Sequence, residues 1–152
     1  MEAAEIKNIL YQKCLDWLDN KIAIATKAMK DAQDSANSEE KSSAGDKFET
    51  GRAMSQIERD MNARQLAECN KQKQIVLNTD IVKKQEKVSL GALVRTEGAF
   101  YFICISAGNI EVGNASYYAV SVDTPIAKLI LNKKVGEDFL VNGKKVRIKE
   151  IV

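Results

Sequence analysis

The chain reads as an α+β protein, a long antiparallel helical hairpin followed by a small β-rich domain with one short helix. Three observations predict this. From Glu2 to about Ala36 there is no glycine or proline, and apolar residues recur at alternating steps of three and four. From Val88 onward the apolar period shifts toward two. Near the end, Asn142-Gly143 separates two strand-like runs, the residue pair that a tight hairpin turn favours.

The first helix is justified by its seam. Leu18, Ile22, Ala25, Met29, Ala32 and Ala36 form a heptad stripe, which Tyr11 and Cys14 continue upstream. The small residues toward its far end let a partner helix approach closely. Residues 37–45 break the pattern and predict a turn. The second helix is expected from about Asp46 to Thr79, with Phe48, Met54, Ile57, Met61, Leu66, Cys69 and Ile75-Val76-Leu77 as apolar positions in a less regular register. Arms of about 35 residues would extend roughly 50 Å at about 1.5 Å per residue. The domains therefore read as a hairpin over 1–79 with its tip at 42–51, a charged linker over 80–87, and a C-terminal domain over 88–152.

In that domain, Gly91 to Thr96 and Phe100 to Ser106 read as strands around a Glu97-Gly98 turn, with Ile110 to Val112 and Tyr117 to Val122 following. Thr124-Pro125 opens a short helix, a hydroxyl cap followed by proline at the first helical position. Phe139 to Val141 and Lys144 to Val152 complete a mostly antiparallel sheet.

Composition excludes several functions. The 152 residues contain no histidine, which removes the commonest general base near neutral pH and the commonest zinc ligand. Histidine-dependent hydrolases and condensing enzymes are thereby excluded. Cys14, Cys69 and Cys104 are far apart and read as small apolar residues of a reducing compartment. No stretch reaches transmembrane length and none reads as a signal peptide, so a cytoplasmic protein without membrane contact is expected. The first half leans acidic and the remainder basic, within a net charge of +2. Arg59, Arg64, Lys71 and Lys73 on the second helix read chiefly as a solvated face.

The tip carries two carboxylates three residues apart, Asp46 and Glu49. That spacing fits a capping box, with Asp46 as the cap and Glu49 reaching back. It also fits a pair of hard oxygen donors carried to another macromolecule's active site. The two readings are compatible, because capping would pre-organise the pair.

Gly45-Asp46-Lys47-Phe48-Glu49-Thr50 resembles the Gly-Asp-x-x-Glu-Asn tip of the Gre transcript cleavage factors. The fourteen residues from Thr124 to Glu137 are similar to a C-terminal segment of that family, with Pro125, the apolar pattern and Lys133-Lys134-Val135-Gly136 agreeing in order. The resemblance implies an FKBP-like C-terminal fold and binding to bacterial RNA polymerase, with the hairpin entering the secondary channel. It implies that Asp46 and Glu49 help to hold a second Mg²⁺ and a water there, so that the polymerase cleaves its own backtracked transcript. The protein would touch the nascent RNA 3′ end indirectly and act as a monomer. It would hold no cofactor by itself and would not be an enzyme in its own right. Phe48, Lys133 and Lys134 are the candidate partner contacts, although Lys133 and Lys134 also suit the end of the short helix, where positive charge offsets its dipole.

The chain departs from the family after the tip Glu, where Thr50-Gly51-Arg52-Ala53 replaces Asn-Ala-Glu-Tyr, and Lys47 and Arg52 flank the carboxylates. Two alternatives follow: a channel-occupying regulator or inhibitor without cleavage activity, and a coiled-coil scaffold. Prolyl isomerase activity is not expected, because fold alone does not carry function.

Overall fold

The computed structural model describes residues 1–40 and 45–152, with the side chains of all of these except 39, 40 and 45–49. Helix α1 spans Ala3–Glu40 and helix α2 spans Gly45–Leu77. Six strands and one short helix follow: β1 (Leu93–Thr96), β2 (Phe100–Ile103), β3 (Gly108–Val112), β4 (Ala115–Val120), α3 (Pro125–Ile130), β5 (Asp138–Val141) and β6 (Lys144–Ile151). The α+β class and the helical hairpin are as the sequence predicts. α1 continues past Ala36 to Glu40 because losing the apolar stripe does not stop a helix. Asn37 to Glu40 can all adopt helical geometry, and the first glycine comes only at Gly45.

The chain divides into two compact units, Leu18–Lys73 and Met1–Trp17 with Gln74–Val152. In the first, α1 and α2 run antiparallel, as two cross-helix contacts show. Lys73 Nζ lies 2.6 Å from Asp19 Oδ1, and Arg59 Nη1 donates to Gln33 Oε1 at 2.8 Å. Leu18, Ala25, Ala32 and Ala36 are buried along the α1 stripe as its spacing predicts.

The register of α2 differs from expectation. Its less exposed positions recur at 52, 55, 59, 62, 66, 69 and 73, so Arg52, Ser55, Arg59 and Asn62 share a heptad face with Leu66, Cys69 and Lys73. Met54, Ile57 and Met61, expected among the apolar positions of the seam, are 65 %, 60 % and 64 % exposed. The alanines of α1 leave a narrow gap. Polar side chains cover the seam with their stems, and the ends of Arg59 and Lys73 bond across it to Gln33 and Asp19.

In the second unit the sheet order is β3-β4-β2-β1-β6-β5. Neighbours are antiparallel except β2 and β4, which are parallel and in register from Phe100↔Tyr117 to Ile103↔Val120. Alternation along the strands divides the buried residues between two faces. Val94, Ile103 and Ile148 join Ile130 of α3 and Phe139 in one cluster. Leu93, Phe102 and Tyr117 are buried on the opposite face, where Leu93, Phe100 and Tyr117 line a cavity of about 180 Å³ together with Met1, Ala3 and Ile6. The aromatic rings are shared out in the same way. Phe100 stacks near Tyr117 with centroids 4.9 Å apart, and Tyr101 near Tyr118 at 5.9 Å. The Asn142-Gly143 turn takes positive φ at both residues, 51° and 78°, the geometry that a two-residue hairpin loop needs.

Candidate functional site

The expected site residues fall in two different units. Asp46, Phe48 and Glu49 lie in the helical unit. α2 begins at Gly45, so the backbones of all three are already helical. Asp46 and Glu49 stand three positions apart on that helix backbone, and the expected capping box rests on side chains outside the described residues. Their side chains, and the loop residues Ser42 and Ser43, lie outside the described residues. Two of the basic residues on α2 are engaged within the hairpin: Arg59 with Gln33 and Asp60, and Lys73 with Asp19. Arg64 and Lys71 are exposed.

Lys133 and Lys134 follow α3, which is built as its sequence indicates. Thr124 Oγ1 accepts from the Ala127 amide at 3.3 Å and donates to Ser121 O at 2.8 Å, and Pro125 occupies the first turn. Past the helix, Asn132 turns the chain with φ of 66°. The last carbonyls are taken by backbone amides: Leu131 donates to Ala127 O at 2.8 Å and Lys133 to Ile130 O at 3.1 Å. Those two carbonyls therefore need no lysine side chain as a cap. Lys133 is half-buried and Lys134 is exposed. The Lys134 amide donates to Glu137 Oε2 at 2.6 Å, which closes a small turn.

Sequence reasoning treated 80–87 as a plain linker. In the structure it is a fixed loop. Asp80 Oδ1 accepts from the amides of Val82 and Lys83 at 3.0 and 3.1 Å, an Asx turn. These amides hold the Asp80 carboxyl below the usual carboxylate range, with further help from the charges of Lys83 and Lys7. Ser89 Oγ donates to Gln85 Oε1 at 2.9 Å, the Val88 amide to Lys133 O at 2.9 Å, and the Asn132 amide to Val88 O at 2.8 Å. Lys87 and Lys134 form an isolated antiparallel bridge, which ties the loop to the turn after α3.

Beneath the loop lies Lys7, which is 1 % exposed. Its Nζ donates to Val152 O at 3.1 Å and approaches Lys83 O at 3.5 Å. Burial pushes this amine below the ordinary lysine value, and the nearby Asp80 charge partly opposes the shift. The signal was present in the sequence, since Lys7 stands three and seven residues before Leu10 and Cys14, on the apolar stripe.

All three cysteines are free and buried. Burial pushes the Cys14 thiol up to about 12 and raises that of Cys104, whose Sγ lies 3.8 Å from Thr79 Oγ1. Neither has the thiolate character that nucleophilic chemistry requires. Among the described residues, no three Cys, Asp or Glu side chains converge as a metal-binding group. Among them, too, no helix is long and apolar enough to cross a membrane.

Comparison with models of known protein families finds no match, and comparison with curated proteins finds none either.

Proposed function

We propose that the protein is a Gre-like transcription elongation factor. In this reading it binds bacterial RNA polymerase, places its hairpin in the secondary channel and stimulates cleavage of backtracked RNA. The observation that carries the reading is one combination of parts. A helical hairpin whose second arm opens on Gly45-Asp46-x-x-Glu49 precedes a β-rich unit that holds the Thr124–Glu137 segment as a capped helix and turn. Helices of 38 and 33 residues are about 57 and 50 Å long, at 1.5 Å per residue, which suits a deep, narrow channel.

The chemistry is that of a shared metal. Two carboxylates are hard oxygen donors of the kind Mg²⁺ takes, and they fall short of its six-coordinate shell. Asp46 and Glu49 fit such an ion only where the polymerase and water supply the other ligands. Mg²⁺ held there would help to place and activate the attacking water. The residues of this chain would contribute charge and position, and the polymerase would perform the cleavage.

The test is a cleavage assay on backtracked complexes of the cognate polymerase, together with a pull-down. The wild-type protein should shorten the stalled transcript, and Asp46→Ala/Glu49→Ala should remove that stimulation while still binding polymerase. A double variant as active as wild type rejects the tip mechanism, and failure to bind polymerase rejects the whole reading. A second reading, a channel occupant that slows elongation without cleavage, is favoured by Lys47 and Arg52, which dilute the negative field beside the carboxylates. It predicts polymerase binding that is insensitive to the double substitution.

A further inference from the structure

Two adjoining clefts of about 440 and 510 Å³ lie between the 83–87 loop, the turn after α3 and the end of β6. Lys84, Gln85 and Glu86 line both. Lys83, Lys87 and Lys134 complete one, and Lys149 stands in the other. All five lysines are exposed. The acids nearby do not cancel them. Glu150 is engaged by Arg95 Nε at 3.2 Å and Lys149 is 3.7 Å from Glu97, which leaves Lys83, Lys84, Lys87 and Lys134 around Glu86, the Asp80 charge beside Lys83 and the Glu137 carboxylate on the Lys134 amide.

Scattered surface lysines would need no explanation. These differ because their backbone is fixed: the Asp80 turn, the buried Lys7 amine under Lys83 O, the Lys87–Lys134 bridge and the Val88–Lys133 bond hold the frame. A fixed frame lowers the ordering cost of binding. An excess of positive charge along that frame favours an anionic partner.

The kind of anion follows from the lining. Val135 lies among the charges in the second cleft and is 54 % exposed. Among the described residues neither cleft has an aromatic side chain. Single-stranded nucleic acid gains much of its affinity by stacking bases on aromatic rings, and here it would find none. The lysine-rich first cleft opens beside this apolar spot, and the two together complement a protein surface that carries acidic groups next to an apolar residue.

We propose that these clefts dock an acidic, partly apolar segment of a partner protein, with the lysines meeting its carboxylates and Val135 its apolar side chain. The site shares Lys134 with the candidate polymerase contacts, but the peptide assay contains no polymerase, so it holds or fails apart from the transcription reading.

Fluorescence anisotropy tests it, with a labelled peptide of alternating Glu and Leu and a labelled RNA oligonucleotide of equal charge as probes. The peptide should bind the full chain in a salt-sensitive way. Reversing two charges, in Lys84→Glu/Lys134→Glu, should weaken it about tenfold or more, as expected when a charged rim is inverted. Lys30→Glu on α1 should leave binding unchanged, and Val135→Ser should weaken the peptide alone. Circular dichroism confirms that the variants fold. The proposal is overturned if the peptide does not bind, or if it binds the double variant equally. It is also overturned if the RNA is preferred and lost with the same double variant, which would make the clefts a phosphate-binding surface.

Discussion

Lys7 and Gly91 carry more structural weight than their residue types suggest. Lys7 is a buried amine whose hydrogen bonds end on carbonyls of the 80–87 loop and of Val152. Lys7→Ala leaves those carbonyls without their donor and should cost about 1–3 kcal/mol in a denaturant titration. Lys7→Met, which keeps the stem packing, should cost less. Because folding lowers the pKa of this amine, the unfolded chain binds more protons in the window below the free-lysine value of about 10.4. Its contribution to stability therefore rises with pH through that window. The difference in Tm between wild type and Lys7→Met should grow in favour of wild type as pH rises toward about 10. Gly91 has φ of +90°, and a Cβ there would stand 2.7 Å from Asp80 O. Gly91→Ala should lower stability by about 1–3 kcal/mol, a strained backbone and a backbone clash acting together. Gly98 has open space around it, so Gly98→Ala should change Tm little.

At the scale of the element, the two helices differ in how much of them could be read in advance. The α1 seam was legible because small and apolar residues occupy every step from Leu18 to Ala36. The α2 seam was not, because two stripes compete on one helix. Met54, Ile57 and Met61 form the apolar stripe, while the face that shares the heptad with Leu66 and Cys69 carries Arg52, Ser55, Arg59 and Asn62. Residue type misled there because the alanines opposite require slender stems rather than bulk. This predicts an inversion of the usual mutational pattern. Ile57→Gln should shift stability by no more than about 0.5 kcal/mol, as for an exposed position. Ala32→Leu, which overfills the seam, should cost about 1–3 kcal/mol. Thermal melts of the two variants check this. The strands were legible through their turns, Glu97-Gly98 and Asn142-Gly143. The parallel pairing of β2 with β4 was not, since nothing local in either strand names a partner that lies beyond an intervening strand. The tip pair stands out as a candidate through its Asp-x-x-Glu spacing alone, and the bonded frame of 80–87 was missed because that segment carries no periodic signal.

For the whole molecule, the division into units does not follow the order of the chain. The unit that holds the sheet also takes in Met1–Trp17 and the last residues of α2. Leu93, Phe102 and Tyr117 are buried on the face whose cavity Met1, Ala3 and Ile6 help to line. A fragment of 88–152 alone should therefore expose that face and bind a hydrophobic dye. A chain in which a short Gly-Ser linker replaces 18–73 should keep a cooperative melt with little dye binding. Equal behaviour of the two fragments would show that the first turns of α1 are dispensable to the sheet. The position of β6 has a further consequence. It lies between β1 and β5, although it is the last strand to be made. Until β6 has left the ribosome, β1 can pair only with β2 and β5 has no neighbour to pair with. Docking of β5 onto the sheet waits on β6, and until β6 is free the nascent chain keeps one edge of β1 open to the cell's chaperones.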